Sequence, residues 1–140
     1  MNNIIENSKL TSSSFTPVLM FGGSDAGIEY SVQTGTHQLF GGIMLVNFSI
    51  ALSSLGTATG TASITFDGIS TAPNNSYVVG PLVTNCTQNG LSSISLQSSA
   101  FSTTFSLCGA LNGGGGTIQL TEANLMAGNS FAFNGFYFIA

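Results

Sequence analysis

The strongest constraint on the fold is a stretch of ten residues, 43–52, in which two sets of side chains alternate. One set contains only large apolar residues, Met44, Val46, Phe48, Ile50 and Leu52. The other set starts with Ile43 and Leu45 and becomes polar from Asn47 onward. A period of two is typical of a β-strand with one buried face. The change along the second face predicts a strand that begins between two layers, or under a neighbouring subunit, and ends with that face in solvent.

Short runs of β-branched and aromatic residues, separated by Gly, Asn and Ser clusters, recur from residue 15 to the end of the chain. This rhythm predicts an all-β fold, specifically an antiparallel, jelly-roll-like β-sandwich. In residues 28–33 we expect Ile28, Tyr30 and Val32 on the buried face, followed by a hairpin turn at residues 34–36. Residues 121–126 favour at most one helical turn.

The chain of 140 residues fits a single domain with a hydrophobic core. Residues 1–14 are polar and rich in Asn and Ser, so we interpret them as an N-terminal arm that reaches onto a neighbouring molecule. Its anchoring side chains would be Ile4, Ile5, Lys9 and Leu10. Residues 15–140 then form the β-sandwich domain.

Charged residues make up only 4% of the chain, while hydrophobic residues make up 43%. An ordinary soluble domain has about a quarter of its residues charged. With one basic and five acidic residues, the surface must consist of hydroxyl, amide and glycine groups, or be covered by partners. The composition therefore indicates a protein that assembles with other chains.

The same composition excludes two classes of partner. Lys9 is the only Lys or Arg and the net charge is −4, so the chain lacks the basic surface that neutralises nucleic-acid phosphates. Its most apolar stretch, residues 42–52, is interrupted by Asn47 and Ser49, and we predict no membrane-spanning segment. The first residues lack the features of a signal peptide, so we expect synthesis in a cytoplasm.

Few residues suit catalysis or metal binding. His37 is the only histidine, and its nearest carboxylates in sequence are Asp25 and Glu29. We interpret His37 as a polar residue on a strand, in preference to a general base or a metal ligand at a trimer axis. Cys86 and Cys108 have no Cys or His at metal-binding spacing and are expected to be reduced in preference to bridged. We predict no enzyme activity, metal or cofactor.

The acidic residues Asp25, Glu29, Asp67 and Glu122 fall in or beside predicted turns. Two carboxylates suffice for glycoside hydrolysis, but that reaction also needs a cleft, for which the sequence gives no sign. We therefore interpret these carboxylates as groups that hydrogen-bond to turn backbone.

Five segments in the first half of the chain carry a resemblance to a known family. They are a Phe-Thr-Pro opening at 15–17, a Phe-Gly-Gly turn at 21–23, Tyr-Ser-Val-Gln-Thr-Gly-Thr at 30–36, the alternating stretch 43–52 and the glycine-rich loop 56–60. In this order they resemble a β-sandwich domain of tailed-bacteriophage virion proteins, found at the distal end of tail fibre proteins and in small virion accessory proteins.

The resemblance covers most of residues 15–139 and is weakest in the middle of that range. Two residues depart from the family pattern, namely Phe15 where Trp is usual and His37 where an aromatic residue is usual. Phe15 keeps the packing role of Trp, whereas His37 changes local contacts.

The resemblance implies a homotrimer exposed on the virion surface. We expect a capsid decoration, or cement, protein whose arm residues Ile4, Ile5, Lys9 and Leu10 dock on the major capsid protein. The alternative is a receptor-binding domain of a tail fibre or tail tip that contacts a host surface glycan.

Two further sets of residues are candidates for contacts. The C-terminal segment is so apolar that we expect it at the centre of the fold or at a subunit interface, which would contain Phe136, Tyr137 and Phe138. For the receptor-binding alternative, the candidate glycan contacts are Asn74, Asn75 and Tyr77.

Overall fold

The structure is a computed structural model that describes residues 12–66, 82–86, 90–98 and 103–139. Within these ranges the chain forms β-strands and one turn of 3-10 helix, Glu122–Asn124. The strands are β1 (Ser12–Phe15), β2 (Pro17–Phe21), β3 (Ile28–Phe40), β4 (Ile43–Leu55), β5 (Ala62–Phe66), β6 (Leu82–Thr84), β7 (Leu91–Ser98), β8 (Thr104–Leu111), β9 (Thr117–Gln119) and β10 (Ser130–Phe138).

The strands form two antiparallel sheets. The first sheet has the strand order β1-β3-β4-β10-β6, and the second has the order β2-β5-β8-β7, with β9 also paired to β8. One hydrophobic core cluster contains residues from both sheets, so the sheets pack as the two layers of a sandwich. The predicted all-β fold is therefore confirmed, while the jelly-roll connectivity stays a prediction.

The chain passes from the first sheet to the second at Thr16. Phe15 pairs with Gly35 in the first sheet, whereas Pro17 pairs with Phe66 in the second. Pro17 is the first residue of the edge strand β2, a position where its missing N–H costs no ladder hydrogen bond.

The boundary predicted between residues 14 and 15 is wrong, because Ser12–Phe15 forms β1 and pairs with β3. A strand of serines is stable here because the neighbouring strand supplies its backbone hydrogen bonds. The arm candidates Ile4, Ile5, Lys9 and Leu10 lie outside the described residues.

The hairpin predicted at residues 34–36 is also wrong. β3 continues through these residues to Phe40, and the turn into β4 is formed by Gly41 and Gly42, with Gly41 at a φ of 58°. Gly35 lies inside the strand, where it pairs with Phe15 on one side and Phe48 on the other.

A bulge changes the facing of side chains in β3. Tyr30 pairs with Leu52 and Val32 pairs with Ala51, so Ser31 is an extra residue in this strand. The bulge turns Val32 outward, where it is 42% exposed, and places Gln33 on the inner side. The predicted buried position of Val32 is therefore wrong.

The free edge of β2 is closed by two side chains of β3. The hydroxyl of Tyr30 accepts a hydrogen bond from the Leu19 N–H at 2.9 Å and donates to the Leu19 carbonyl at 3.4 Å. Gln33 Nε2 donates to the Pro17 carbonyl at 2.9 Å. These bonds satisfy backbone groups that an edge strand otherwise offers to another chain.

Aromatic rings connect the two layers of the core. Phe48 of β4 contacts Phe66 of β5 with ring centroids 5.4 Å apart, and Phe66 contacts Phe105 of β8 at 4.4 Å. Phe105 in turn contacts Tyr137 of β10 at 5.8 Å, which returns to the first sheet. The inner face of β4 predicted from the alternation is buried throughout, at 0–3% exposure.

Cys86 and Cys108 are both buried and not bonded to each other, which agrees with the favoured reduced state. The Cys86 thiol donates a hydrogen bond to the Asn124 carbonyl at 3.4 Å. Burial raises the pKa of the Cys108 thiol, which disfavours the reactive thiolate. Both residues therefore act as small core side chains.

Candidate functional site

The candidate functional site is the outer face of the first sheet, which points away from the core. Residues that pair across antiparallel strands point to the same side, so the register fixes which side chains share this face. Each row of side chains on this face has one residue from β3, one from β4 and one from β10. Along the strands the rows are Phe40, Ile43 and Phe138; Gln38, Leu45 and Phe136; Thr36, Asn47 and Asn134; and Thr34, Ser49 and Ala132.

One end of this face is apolar. Phe40 is 57% exposed, Phe138 is 54% exposed and Leu45 is 39% exposed, with Ile43 and Phe136 between them. Phe136 and Phe138 contact each other edge to face, with ring centroids 5.9 Å apart. We call these residues, Phe40, Ile43, Leu45, Phe136 and Phe138, the apolar patch.

The structure separates the three residues that the sequence grouped as a subunit interface. Tyr137 points into the core, is 1% exposed and contacts Phe105, so its side chain has no surface to offer a partner. Alternation along β10 is the reason, since Phe136 and Phe138 face outward on either side of it. Tyr137 is therefore corrected to a core residue.

Sequence reasoning missed Phe40 as a member of the apolar patch. The location of the patch was indicated by Ile43 and Leu45, the apolar start of the second face of β4, which predicted a covering neighbour. Phe40 joins them because it pairs with Ile43 across the tight turn at Gly41 and Gly42.

The face becomes polar beyond the patch. Asn47 and Asn134 pair directly across β4 and β10, and a shallow depression lies on each side of this pair. The larger depression, of ≈ 240 Å³, extends over Thr36, Gln38 and Ser12 toward β1. The smaller depression, of ≈ 180 Å³, extends over Ser49 and Ala132 toward β6. We call the two depressions and the Asn47–Asn134 pair the amide groove.

The smaller depression has Ser49, Ala132 and Val83 in its lining, and Val83 is 67% exposed. The side chains of Asn47 and Asn134 make no hydrogen bond to any residue that the structure describes. The groove thus presents hydrogen-bonding groups that no described residue uses.

His37 lies beneath the groove on the inner side of the sheet. Its ring is 6.0 Å from that of Phe15, and it pairs with Ser13 and Val46. Its Nδ1 is buried without a hydrogen-bond partner in the described part of the chain. Among the described residues, no cluster of three or more His, Cys, Asp or Glu side chains is arranged to hold a metal ion.

The described carboxylates have separate surroundings. Glu122 Oε2 accepts a hydrogen bond from the Gly60 N–H at 2.7 Å, which fastens the loop after β4 to the 3-10 turn. Asp25 and Glu29 are exposed on and beside the turn before β3. Glu122 therefore has a structural role, and Asp67 lies outside the described residues.

The candidate glycan contacts Asn74, Asn75 and Tyr77 also lie outside the described residues. Residues 112–116 connect β8 to β9 and are exposed. In the ranges that the structure covers, no helix has the length and hydropathy needed to cross a membrane.

Comparison of the chain with known protein families, with curated proteins and with solved structures gives no match.

Proposed function

We propose that this protein is a structural protein of a bacteriophage virion that assembles as a homotrimer through the apolar patch and decorates the capsid surface. The sequence resemblance supports the virion location and the trimer. The physical support for assembly comes from the outer face of the first sheet.

The observation that carries the proposal is the exposure of Phe40 and Phe138 on the same face of one sheet. Each is more than half exposed, and both lie on strands whose other face is packed in the core. A contiguous apolar surface of this kind marks an interaction site in a soluble protein. Because only 4% of the residues are charged, few charges are available to keep a protein with such a patch monomeric.

The chemistry of the patch suits a second copy of the same chain as its partner. The patch contains no charged side chain, so it needs no partner of opposite sign. Its residues lie on β3, β4 and β10, the three inner strands of the first sheet, which hold the side chains in a fixed arrangement. Burial of rigid aromatic side chains costs little conformational entropy, which favours them as interface anchors.

Attachment to the particle should depend on apolar and neutral polar contacts. Only Asp25, Glu29 and Glu122 among the described residues carry a formal charge. Salt screens ion pairs but leaves apolar contacts largely intact. The protein should therefore remain on the particle when the ionic strength is raised.

The test is the copy number of the protein in purified particles of the virus that encodes it, measured by quantitative mass spectrometry. Wild-type chain and the Met126→Ser variant should be present in hundreds of copies, and the Phe40→Ser/Phe138→Ser variant should be largely absent. Met126 is a matched control because it is 54% exposed, like Phe138, but lies away from the patch.

A handful of copies per particle would overturn capsid decoration in favour of the tail fibre or tail-tip alternative. Absence of the wild-type chain from purified particles would overturn the virion proposal altogether.

A further inference from the structure

We propose that the amide groove binds a neutral saccharide. This inference goes beyond the decoration function, because it assigns a ligand to a surface that borders the proposed trimer contact and shares only Leu45 with it. It is carried by the unused hydrogen-bonding groups of Asn47 and Asn134 and by their position between two depressions.

The groove crosses the sheet at right angles to its strands. Its lining starts at Ser12 on β1 and ends at Val83 on β6, so it spans all the strands of the first sheet. Neighbouring strands lie about 4.8 Å apart, which gives the groove a length of about 19 Å. The Asn47–Asn134 pair stands at its centre, which suits an elongated ligand lying across both depressions.

The chemistry of the groove matches a ligand rich in hydroxyl groups. Each Asn amide offers an acceptor oxygen and two N–H donors, and Thr36 and Ser49 add hydroxyl groups that donate and accept. A sugar hydroxyl also donates and accepts, so it can pair with either end of an amide. Leu45 in one depression and Val83 in the other provide apolar contact for the C–H face of a sugar ring.

The absence of charge narrows the ligand class. No Lys, Arg, Asp or Glu lines either depression, and His37 is the one ionisable residue among the lining residues. A carboxylate, sulfate or phosphate on the ligand would lose its hydration without gaining a Lys or Arg partner. The groove should therefore select neutral saccharides over sialylated, uronic-acid or phosphorylated ones.

The strand positions that carry the two asparagines are fixed by the sheet and by the core beneath it. Asn47 and Asn134 occupy the inner strands β4 and β10, and the inward neighbours Phe48 and Phe133 stack in the core with ring centroids 5.6 Å apart. Rigid strands reduce the entropy lost when a weak ligand binds. Trimerisation would add avidity to a weak single site.

The experiment applies the full chain to an array of neutral and acidic oligosaccharides, followed by calorimetric titration with the oligosaccharides retained. Neutral oligosaccharides should be retained and acidic ones should not. The Asn47→Ala/Asn134→Ala variant should bind at least about tenfold more weakly, a loss of about 1.4 kcal/mol. Asn112→Ala, which removes an exposed asparagine from the loop before β9, should bind like the wild type. Free monosaccharides are then added as competitors of the bound oligosaccharide. Displacement indicates a small free sugar as the source of the ligand, and no displacement indicates a surface polysaccharide.

Three results would overturn the inference: retention of no saccharide, preference for acidic saccharides, or equal binding by the double Asn variant. Sedimentation of the same double variant distinguishes this failure from failure of the trimer. If the variant loses saccharide binding only because it also dissociates, the asparagines belong to the polar border of the subunit interface and the saccharide site is wrong. A trimer that fails to bind any saccharide leaves the proposed function intact.

Discussion

The ring of Phe15 lies directly over Gly35, its partner across β1 and β3. A Cβ at position 35 would be 2.6 Å from both Cε1 and Cζ of Phe15. Contacts below 3 Å are shorter than carbon atoms tolerate, so Gly35 is required for Phe15 to reach the core, where its ring is 5.3 Å from Phe66. The glycine provides space at this position and forms no turn.

The first prediction concerns Gly35→Ala. The added methyl group must displace the Phe15 ring, so the free energy of unfolding should fall by about 1–3 kcal/mol. Urea unfolding followed by circular dichroism measures this change. In the Phe15→Ala background the methyl group has room, and Gly35→Ala should then cost less than about 0.5 kcal/mol or stabilise, because Ala suits a strand better than Gly. Equal costs in the two backgrounds would show that the ring does not require the glycine.

The second prediction concerns the closed edge of β2. Tyr30→Phe leaves the Leu19 N–H without its partner, and the free energy of unfolding should fall by about 1–3 kcal/mol. Gln33→Ala should cost about 1 kcal/mol, since it removes the bond to the Pro17 carbonyl. Both variants should also aggregate faster, as measured by light scattering, because the strand edge becomes open.

Gln97→Ala is the control for this edge, because Gln97 is exposed on β7 and its side chain makes no hydrogen bond to a described residue. Its stability and aggregation rate should equal those of the wild type. If Tyr30→Phe and Gln33→Ala behaved like this control, the two side chains would not protect the edge.

The third prediction concerns the bond between Glu122 and the Gly60 N–H. Glu122→Ala removes the acceptor and should lower the free energy of unfolding by about 1–2 kcal/mol. Glu122→Gln keeps an acceptor oxygen and should lose less than half of that amount. Glu29→Ala, at an exposed carboxylate without a described partner, should change stability by less than about 0.5 kcal/mol. Identical losses for the Ala and Gln variants of Glu122 would show that the carboxylate oxygen is not the stabilising group.

The fourth prediction concerns alkaline pH. Burial raises the pKa of Tyr137 to about 12 from its ordinary value of 10.0, and burial also raises the pKa of Tyr30. Below pH 10 these phenols are neutral in the folded and unfolded chains alike. Between pH 10 and pH 12 the unfolded chain releases the Tyr137 proton first, so the free energy of unfolding falls as the pH rises.

Tyr137→Phe should reduce this alkaline loss, because the variant has no phenol to ionise at the buried position. Urea unfolding at pH 8, 10 and 11.5 gives the slope for both proteins. The slope of the variant should be shallower than that of the wild type, although its stability at pH 8 is lower. Parallel slopes would show that Tyr137 titrates alike in the folded and unfolded chains.

Regular alternation made much of the first sheet predictable from the sequence. The burial of one face of β4 and of Phe131 and Phe133 in β10 follows from period-two patterning alone. The apolar start of the other face of β4 also indicated the place where the apolar patch was found. These features depend on neighbours along the strand, which the sequence displays directly.

The features that the sequence misassigned depend on residues far away in the chain. A Thr-Gly-Thr segment suits a turn, and only the ring of Phe15, twenty residues earlier, makes Gly35 a strand residue. The bulge at Ser31 reverses the facing of Val32, and an alternation as short as residues 28–33 gives no sign of it. The amide groove was missed because Asn47 and Asn134 are brought together only by the pairing of β4 with β10.

Assembly through the apolar patch is the central claim, and sedimentation equilibrium of the full chain at micromolar concentration tests it most directly. We expect the wild type and Met126→Ser to sediment as a trimer, with three times the chain mass of 14.3 kDa. The Phe40→Ser/Phe138→Ser variant should sediment as a folded chain of 14.3 kDa with an unchanged circular dichroism spectrum. A wild type that sediments at 14.3 kDa, or a double variant that retains the wild-type mass, would contradict the claim.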